Sequence, residues 1–335
     1  MGNLLRISAT VLGLSLAVAP ALAEDLPGDG KSVHILMGQD MESLFQAEVL
    51  AIGLERLGYD VSEIDQVAPA IYFQSVAQGD AELNAQTWWP MHRALFEEAG
   101  GEESLEMVGV LVHDAVQGYL IDKKTADAYG ITDIGQLSDP ELAKLFDSDG
   151  DGKANLAGCP PGWQCEATID FHIEQYGLSD TVQQDKGDNT VLKSDVIARY
   201  QAGEPVLYYT WEPFWLSQVL IPGTDVQWLS VPFKALPAAS DQEANTVTSD
   251  GRDTGWEVVD VRVTANKAFL AENPAAKRLF ELAAVPVADI NAENFLINEG
   301  ENTPDDVRRH AEAWVEENAA TFDAWVEEAR QAAAQ

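Results

Sequence analysis

The chain has 335 residues, of which 46% are apolar and 23% are charged, and this composition excludes intrinsic disorder and fibrous repeats. Its 20 Lys and Arg stand against 56 Asp and Glu, so the formal charge is −36. A surface this acidic repels the phosphates of nucleic acids and of anionic lipids, which excludes both as partners.

The first 23 residues have the pattern of a secretory signal peptide. One cation, Arg6, precedes an uncharged apolar run over 7–19, and residues 21–23 form an A-x-A cleavage sequence. The apolar run is shorter than the ~20 residues that a membrane-spanning helix needs. The pattern predicts export to the periplasm, cleavage after Ala23 and a mature chain that is not inserted in the membrane.

Strand-like and helix-like patterns alternate along the rest of the chain. Short apolar runs typical of strands lie at 32–37, 61–64, 81–87, 105–112, 118–121, 205–210, 226–231 and 256–263. Amphipathic runs typical of helices lie at 42–57, 68–78, 139–146, 167–176, 192–201, 274–284, 288–296 and 303–335. The alternation predicts an α/β fold in which mainly parallel sheets are flanked by helices.

The mature chain is longer than a single hydrophobic core usually allows, so two lobes are expected. It contains no Pro/Gly/Ser-rich linker, which predicts that the chain crosses between the lobes within regular structure, near Ile121 and Trp256. One lobe would then comprise 24–121 plus 256–335, and the other 122–255. A ligand cleft is expected between them.

Enzyme motifs are missing from the sequence. It has no G-x-S-x-G, no H-E-x-x-H, no phosphate-binding P-loop and no G-x-G-x-x-G after a strand. The histidines are scattered singly, as His34, His92, His113, His172 and His310. No nucleophile stands beside a base, so no catalytic residue is predicted and binding is favoured over catalysis.

Two tryptophans occupy the same local pattern, a strand-like run followed by W-x-P. They are Trp88 in LNAQTWWP and Trp211 in VLYYTWEP. Proline ends each strand because it cannot donate to the ladder, so each Trp lies at a carboxyl end. In open α/β sheets ligands bind at that edge. The repeated pattern favours a binding role over core filling.

A third tryptophan, Trp163, lies between Cys159 and Cys165, the two cysteines of the chain. An exported protein meets an oxidising compartment, so a disulfide is predicted, and no further zinc ligands lie near by in sequence. The bridge would order the loop that presents Trp163 and so lower the entropy cost of binding.

Several indole faces in one cleft suit a ligand with a fully methylated, permanently charged nitrogen. Such a group cannot donate a hydrogen bond, whereas indole faces attract its charge and bury its methyl groups. The alternative is a sugar stacked on Trp. The three Trp segments hold few of the polar side chains that a sugar needs, and they therefore favour the quaternary ammonium group.

Four runs of the sequence carry a family resemblance. They are GYLIDKKTADAYGI (118–131), LFDSDGDGKANLAGCPPGWQCE (145–166), YYTWEPFW (208–215) and PVADINAEN (286–294). The mature chain thereby resembles the periplasmic glycine betaine and proline betaine binding component of an osmoprotectant ABC importer. The resemblance implies a monomeric, type II-like two-lobed binding protein without catalytic residues or a cofactor, which closes on ligand and docks on a membrane permease.

The resemblance also implies a division of the site. Trp88, Trp163 and Trp211 would form an aromatic box around the quaternary ammonium, and spacing alone selects Trp88 over its neighbour Trp89. A second set would contact the carboxylate of the ligand, namely His92 and the backbone N–H groups of Gln164 and Cys165. Imidazole and loop amides are donors, as a carboxylate requires.

An acidic run over 147–152 copies the opening of an EF-hand calcium loop. Asp147, Asp149 and Asp151 stand at loop positions 1, 3 and 5, but position 12, where a bidentate Glu belongs, is Gly158. An acidic turn is favoured over a structural calcium site.

For the whole protein, the alternatives to a betaine-binding protein are a secreted enzyme acting on betaine or choline compounds and a binding protein for choline, a sugar or an amino acid.

Overall fold

The computed structural model of the protein describes residues 26–38, 41–62, 64–238 and 240–334. The predicted signal peptide over 1–23 and its cleavage site lie outside the described residues. Within the described ranges, every helix is too short or too polar to cross a bilayer.

Eleven strands are assigned in the part of the chain that the structure describes. In chain order they are β1 Ser32–Val33, β2 Ile35–Met37, β3 Asp60–Val61, β4 Asp65–Gln66, β5 Leu83–Trp89, β6 Leu105–Asp122, β7 Ala154–Ala157, β8 Val182–Asp185, β9 Leu207–Glu212, β10 Val226–Trp228 and β11 Val259–Asn266. The strand patterns did not include β7 and β8. Their sequences, ANLA and VQQD, have little of the β-branched and aromatic content that marks a strand.

The helices lie between these strands and after them. They are α1 Leu44–Arg56, α2 Pro69–Gln78, α3 Arg93–Glu98, α4 Lys123–Tyr129, α5 Pro140–Ala143, α6 Gln164–Gln175, α7 Asn189–Gln201, α8 Leu216–Val219, α9 Lys267–Glu272, α10 Pro274–Leu282, α11 Val287–Asn298, α12 Pro304–Glu317 and α13 Ala319–Ala333. The predicted continuous helix over 303–335 is wrong, because α12 ends at Glu317 and the side-chain amide of Asn318 donates to the carbonyl of Trp314.

Nine of the described strands form one sheet in the order β4-β2-β5-β11-β6-β9-β7-β8, with β10 paired to the distal end of β6. The outer strands run parallel, as predicted. The central pairs β5–β11, β11–β6 and β6–β9 run antiparallel. The sheet is therefore mixed, and its central antiparallel strands connect two halves that are each flanked by helices.

Strand β6 links the two halves. Its residues up to Ala115 pair with β11, whereas those from Val116 onward pair with β9. The sequence predicts two separate strands here, 105–112 and 118–121, and that prediction is wrong. Polar His113 and Asp114 interrupt the apolar pattern because they lie in a β-bulge, in which Asp114 takes a φ of 54°. The division of the chain at Ile121 and Trp256 stays a prediction.

Each half of the sheet has its own hydrophobic core. In the first half β2, β5 and β11 pack against α1, α10 and the C-terminal helices, with core residues that include Ile35, Leu50, Val261, Phe280 and Phe322. In the second half the buried residues include Tyr119, Phe146, Leu156, Ile169 and Leu229. Gly109 lets β6 pass close to α10, since a Cβ there would lie 2.1 Å from the carbonyl oxygen of Phe280.

Candidate functional site

Trp88 and Trp89 end strand β5, and the pleat of the strand separates them. Successive side chains of a strand point to opposite faces. The indole of Trp89 packs edge-on against Phe96 at 5.8 Å between ring centroids, and the guanidinium of Arg93 lies 5.1 Å from it. Trp88 faces the other way and lines the space between the two halves of the sheet. The strand geometry thus places Trp88, not Trp89, at the cavity.

Trp211 lies at the corresponding end of β9, one residue before the strand ends at Glu212. Its ring centroid is 4.3 Å from that of Phe214 and 6.0 Å from that of Tyr209, so the indole has aromatic neighbours on more than one side. The centroid of Trp163 lies 6.2 Å away, with the two indole planes inclined at 53°. Trp163 and Trp211 therefore form two inclined walls of one aromatic cluster.

The loop that carries Trp163 is closed by the predicted disulfide between Cys159 and Cys165. Within it the N–H of Trp163 donates to the carbonyl of Pro160, and the N–H of Gly162 donates to the carboxylate of Glu166 at 2.6 Å. The Trp163 side chain nevertheless keeps half of its surface, 50%, exposed. The loop is ordered by covalent and hydrogen bonds while its indole stays accessible.

One cavity of about 270 Å³ brings these residues together. It is lined by Trp88, Met91, Gln117, Trp163, Gln164, Cys165, Tyr209 and Trp211. None of these described lining residues carries a charge. Sequence reasoning missed Met91, Gln117 and Tyr209. Tyr209 lies in the YYTW run beside Trp211, and this run is a signal from which it could have been predicted. Gln117 enters the site only because β6 pairs with β9.

The carboxylate-binding amides predicted at Gln164 and Cys165 are the first two residues of α6. Neither backbone N–H has an acceptor among the described residues, and the N-cap, Trp163, has no side-chain oxygen that could supply one. The helix dipole adds partial positive charge at this end. The residues that line the cavity therefore include two with free backbone N–H donors as well as the three tryptophans.

His92 is not among the residues that line this cavity. It precedes α3, and its Nδ1 accepts a hydrogen bond from the backbone N–H of Trp88 at 3.2 Å and lies 3.0 Å from the hydroxyl of Tyr72. Burial lowers the pKa of the imidazole to about 4, so the ring is neutral at physiological pH. In this structure His92 supports the strand end that presents Trp88, and its predicted contact with a carboxylate stays a prediction.

A buried lysine lies behind the aromatic cluster. The ammonium of Lys193 donates to the carbonyl of Tyr209 at 2.5 Å and lies 5.7 Å from the ring of the same residue. Its side chain is fully buried, and burial lowers the pKa to about 7. The Tyr209 hydroxyl donates to the side-chain oxygen of Gln117 at 2.6 Å. Together these bonds hold β9 and β6 in place beneath Trp211.

The acidic run over 147–152 forms a compact turn. One carboxylate oxygen from each of Asp147, Asp149 and Asp151 lies within 4.8 Å of the other two. These three residues are the ones that would hold a cation. The Asp147 carboxylate, however, accepts hydrogen bonds from the N–H groups of Gly150 and Gly152. These bonds are those of an acidic turn, and the calcium site stays an untested alternative.

The sequence relationships agree with this geometry. Residues 31–317 match the family profile described as the substrate binding domain of the ABC-type glycine betaine transport system. The chain belongs to this family of substrate-binding proteins. It is 44% identical to the glycine betaine-binding periplasmic protein OusX of Dickeya dadantii, over 98% of this chain and 99% of that protein. It is also 44% identical to the glycine betaine/proline betaine-binding periplasmic protein of Escherichia coli, over 94% of this chain and 95% of that protein.

The fold is shared with solved structures. The glycine betaine, L-proline ABC transporter binding protein of Borrelia burgdorferi superimposes with a TM-score of 0.62, covering 90% of this chain and all of that one, at 17% sequence identity. The two-lobed α/β fold predicted from the sequence is confirmed.

Proposed function

We propose that the protein captures glycine betaine or proline betaine in the cavity of Trp88, Trp163 and Trp211. The observation that carries the proposal is the convergence of three indoles on a space whose described lining has no charged side chain. Each indole face contributes ~0.5 to ~2 kcal/mol of attraction to a desolvated quaternary ammonium. Because no described lining side chain carries a charge to balance that of a ligand, the cavity suits a ligand whose own charges cancel, as those of a betaine do.

The carboxylate of the ligand would be bound by the free N–H groups of Gln164 and Cys165 at the start of α6. Hydrogen bonds to an ionised acceptor are about twice as strong as neutral ones, and the helix N-terminus favours negative charge. With Nδ1 of His92 accepting from Trp88, the proton of the neutral imidazole is on Nε2. Our proposal for His92 is that this Nε2–H donates to the carboxylate when the lobes close on the ligand.

The protein would act as an exported carrier. The named relatives are periplasmic, and the pattern over 1–23 predicts a cleaved signal peptide. We propose that the mature chain is monomeric, delivers its ligand to the membrane permease of an ABC importer and leaves the ligand chemically unchanged. The family assignment supports transport rather than turnover.

Calorimetric titration of the mature protein tests the proposal. We expect glycine betaine and proline betaine to bind one to one and to be recovered unchanged, whereas a sugar and an amino acid do not compete. Replacing Trp163 by alanine should abolish most of the affinity. The matched control is Phe233→Ala, since Phe233 is equally exposed at 51% but does not line the cavity. Chemical conversion of betaine or choline during incubation would instead support an enzyme.

A further inference from the structure

Helix α11 packs against both halves of the molecule. Its residues Ile290 and Ile297 belong to the hydrophobic core of the first half. Phe295, on the same helix, packs against a separate cluster of buried residues that contains Tyr208 of β9 and Phe214. The helix therefore connects the core of the first half to the chain segment that follows β9 in the second half.

A buried hydrogen bond fixes this connection. The side-chain oxygen of Asn291 on α11 accepts a hydrogen bond from the backbone N–H of Phe214 at 2.7 Å. Asn291 is 5% exposed and Phe214 is 2% exposed, so the bond is shielded from water. A buried N–H group beyond the end of a strand needs an acceptor, because leaving it without a partner is costly. Asn291 thus sets where the backbone of Phe214 lies relative to α11.

Phe214 in turn supports one wall of the ligand cavity. Its ring centroid lies 4.3 Å from that of Trp211, with the two planes inclined at 33°. The rings of Tyr209 and Trp163 lie farther from Trp211, at 6.0 Å and 6.2 Å. The Trp211 indole therefore rests more closely on Phe214 than on these two neighbours, and a shift of Phe214 would move it.

We propose that Asn291 is a positioning residue for ligand binding, which orients the Trp211 indole through the N–H of Phe214. Cation–π attraction requires the cation to lie over the face of the ring, so a tilted indole loses part of it. Asn291 does not line the ligand cavity, and its effect reaches the ligand through Phe214 and Trp211. This inference rests on the proposed function, because it takes Trp211 to bind the quaternary nitrogen.

Two replacements of Asn291 test whether the acceptor oxygen is what matters. Asn291→Leu removes the acceptor at similar volume, and calorimetry on the mature protein should show glycine betaine binding about fivefold more weakly than to wild type. Asn291→Asp keeps an oxygen at the same position, so its affinity should lie closer to wild type than to Asn291→Leu. Wild-type affinity in Asn291→Leu would overturn the proposal, as would equal losses in both variants.

A second buried asparagine provides the matched control. Asn273 is also 5% exposed, and its side-chain oxygen accepts hydrogen bonds from Nζ of Lys31 at 2.9 Å and from the hydroxyl of Tyr59 at 3.2 Å. Neither Asn273 nor its partners line the ligand cavity. Asn273→Leu should therefore lower the melting temperature and leave the affinity unchanged. If it weakens binding as much as Asn291→Leu does, general destabilisation explains both losses and the proposal is wrong.

A double-mutant cycle tests the route through Trp211. In a Trp211→Ala background, adding Asn291→Leu should weaken glycine betaine no further, because the indole that Asn291 orients is gone. In a Trp88→Ala background the same replacement should cost the full factor of about five. Equal further losses in the two backgrounds would overturn the proposal. If Asn291→Leu does not fold, Asn291→Ala, which also lacks the acceptor, takes its place in every comparison.

The two proposals can fail separately. If glycine betaine does not bind to wild type, the proposed function is wrong. If glycine betaine binds to wild type and binds equally tightly without the Asn291 acceptor, the positioning role of Asn291 alone is wrong.

Discussion

The backbone N–H of Trp88 donates a hydrogen bond to Nδ1 of His92 across 3.2 Å, and the N–H of His92 donates in return to the carbonyl of Trp88 at 2.8 Å. Two residues four positions apart are therefore joined in both directions at the end of β5. This arrangement fixes the turn after the strand and leaves Nε2 as the donor atom of the neutral ring. It gives His92 two separable roles, support of Trp88 and contact with a carboxylate.

We predict that His92→Ala weakens glycine betaine more than choline. Loss of a hydrogen bond to a carboxylate costs about 2 kcal/mol, or roughly thirtyfold in affinity, whereas choline lacks the carboxylate. Titration of the variant with both ligands measures the difference. If the two affinities fall by the same factor, His92 acts only through Trp88 and the direct contact is excluded.

Alanine at Trp88, Trp163 or Trp211 should weaken glycine betaine and choline alike. We expect a loss of about 1 to 3 kcal/mol for each, from cation–π attraction and methyl burial together. Trp163→Ala is the clearest case, because its half-exposed ring contributes little to the core. Wild-type affinity in that variant would remove the aromatic cluster from the binding site.

The Cys159–Cys165 disulfide should matter more for binding than for folding. In the chain-entropy model a loop this short contributes only ~2.4 kcal/mol to global stability. The same loop presents Trp163 and leads into the amides of α6. Cys159→Ser should therefore cost more free energy of betaine binding than free energy of unfolding. Cys165→Ser is the less clean variant, since the backbone N–H of Cys165 is itself a proposed contact. Identical affinities of the oxidised and reduced proteins would be the contrary result.

Stability should fall as the pH drops below about 6.5, and His172 should account for part of the loss. The ring is 1% exposed, with Nδ1 2.8 Å from the Tyr119 hydroxyl and Nε2 3.0 Å from the carbonyl of Ala235. Burial lowers its pKa to about 4, so between pH 6.5 and 4 the unfolded chain binds a proton that the folded chain does not. This difference favours unfolding by about 2 kcal/mol at pH 5.

Urea unfolding at pH 7 and pH 5 measures this contribution. His172→Gln should be less stable than wild type at pH 7 but should lose less stability on acidification. The control is His113→Gln, because the His113 side chain is 64% exposed. If His172→Gln keeps the full pH dependence of wild type, groups other than His172 cause the loss of stability.

Salt should stabilise the protein. Without the first 23 residues the chain has 19 basic and 56 acidic residues, a net charge of −37, and self-repulsion at that charge destabilises the compact state. Added salt shortens the screening length from ~30 Å at 0.01 M to ~3 Å at 1 M. We expect the melting temperature to rise over this range. A melting temperature that stays flat or falls would contradict this prediction. It would show that salt weakens ion pairs such as Arg308 with Glu55 at least as much as it relieves the repulsion.

The sequence alone determined the α/β class and predicted which three tryptophans line one cavity, since both depend on local patterns. Alternating strand and helix periods define the layers, the W-x-P pattern places Trp88 and Trp211 at strand ends, and two cysteines flanking Trp163 define a closed loop. Each of these signals lies within about ten residues of the chain. The same locality explains the errors, because a bulge at Asp114 resembles the end of a strand when its partner β11 is not known.

Only the tertiary structure decided how distant segments meet. The pleat of β5 directs Trp88 into the cleft and Trp89 away from it, and the pairing of β6 with β9 brings Gln117 to the hydroxyl of Tyr209. A neighbouring cavity that Trp88, Trp163 and Trp211 also line is bordered by Gln46 and Asn294, which lie about 250 residues apart and meet through the packing of α1 and α11. Such contacts depend on strand register and on the packing of helices, and they leave no periodic signal in the sequence because each is made by single side chains from separate elements.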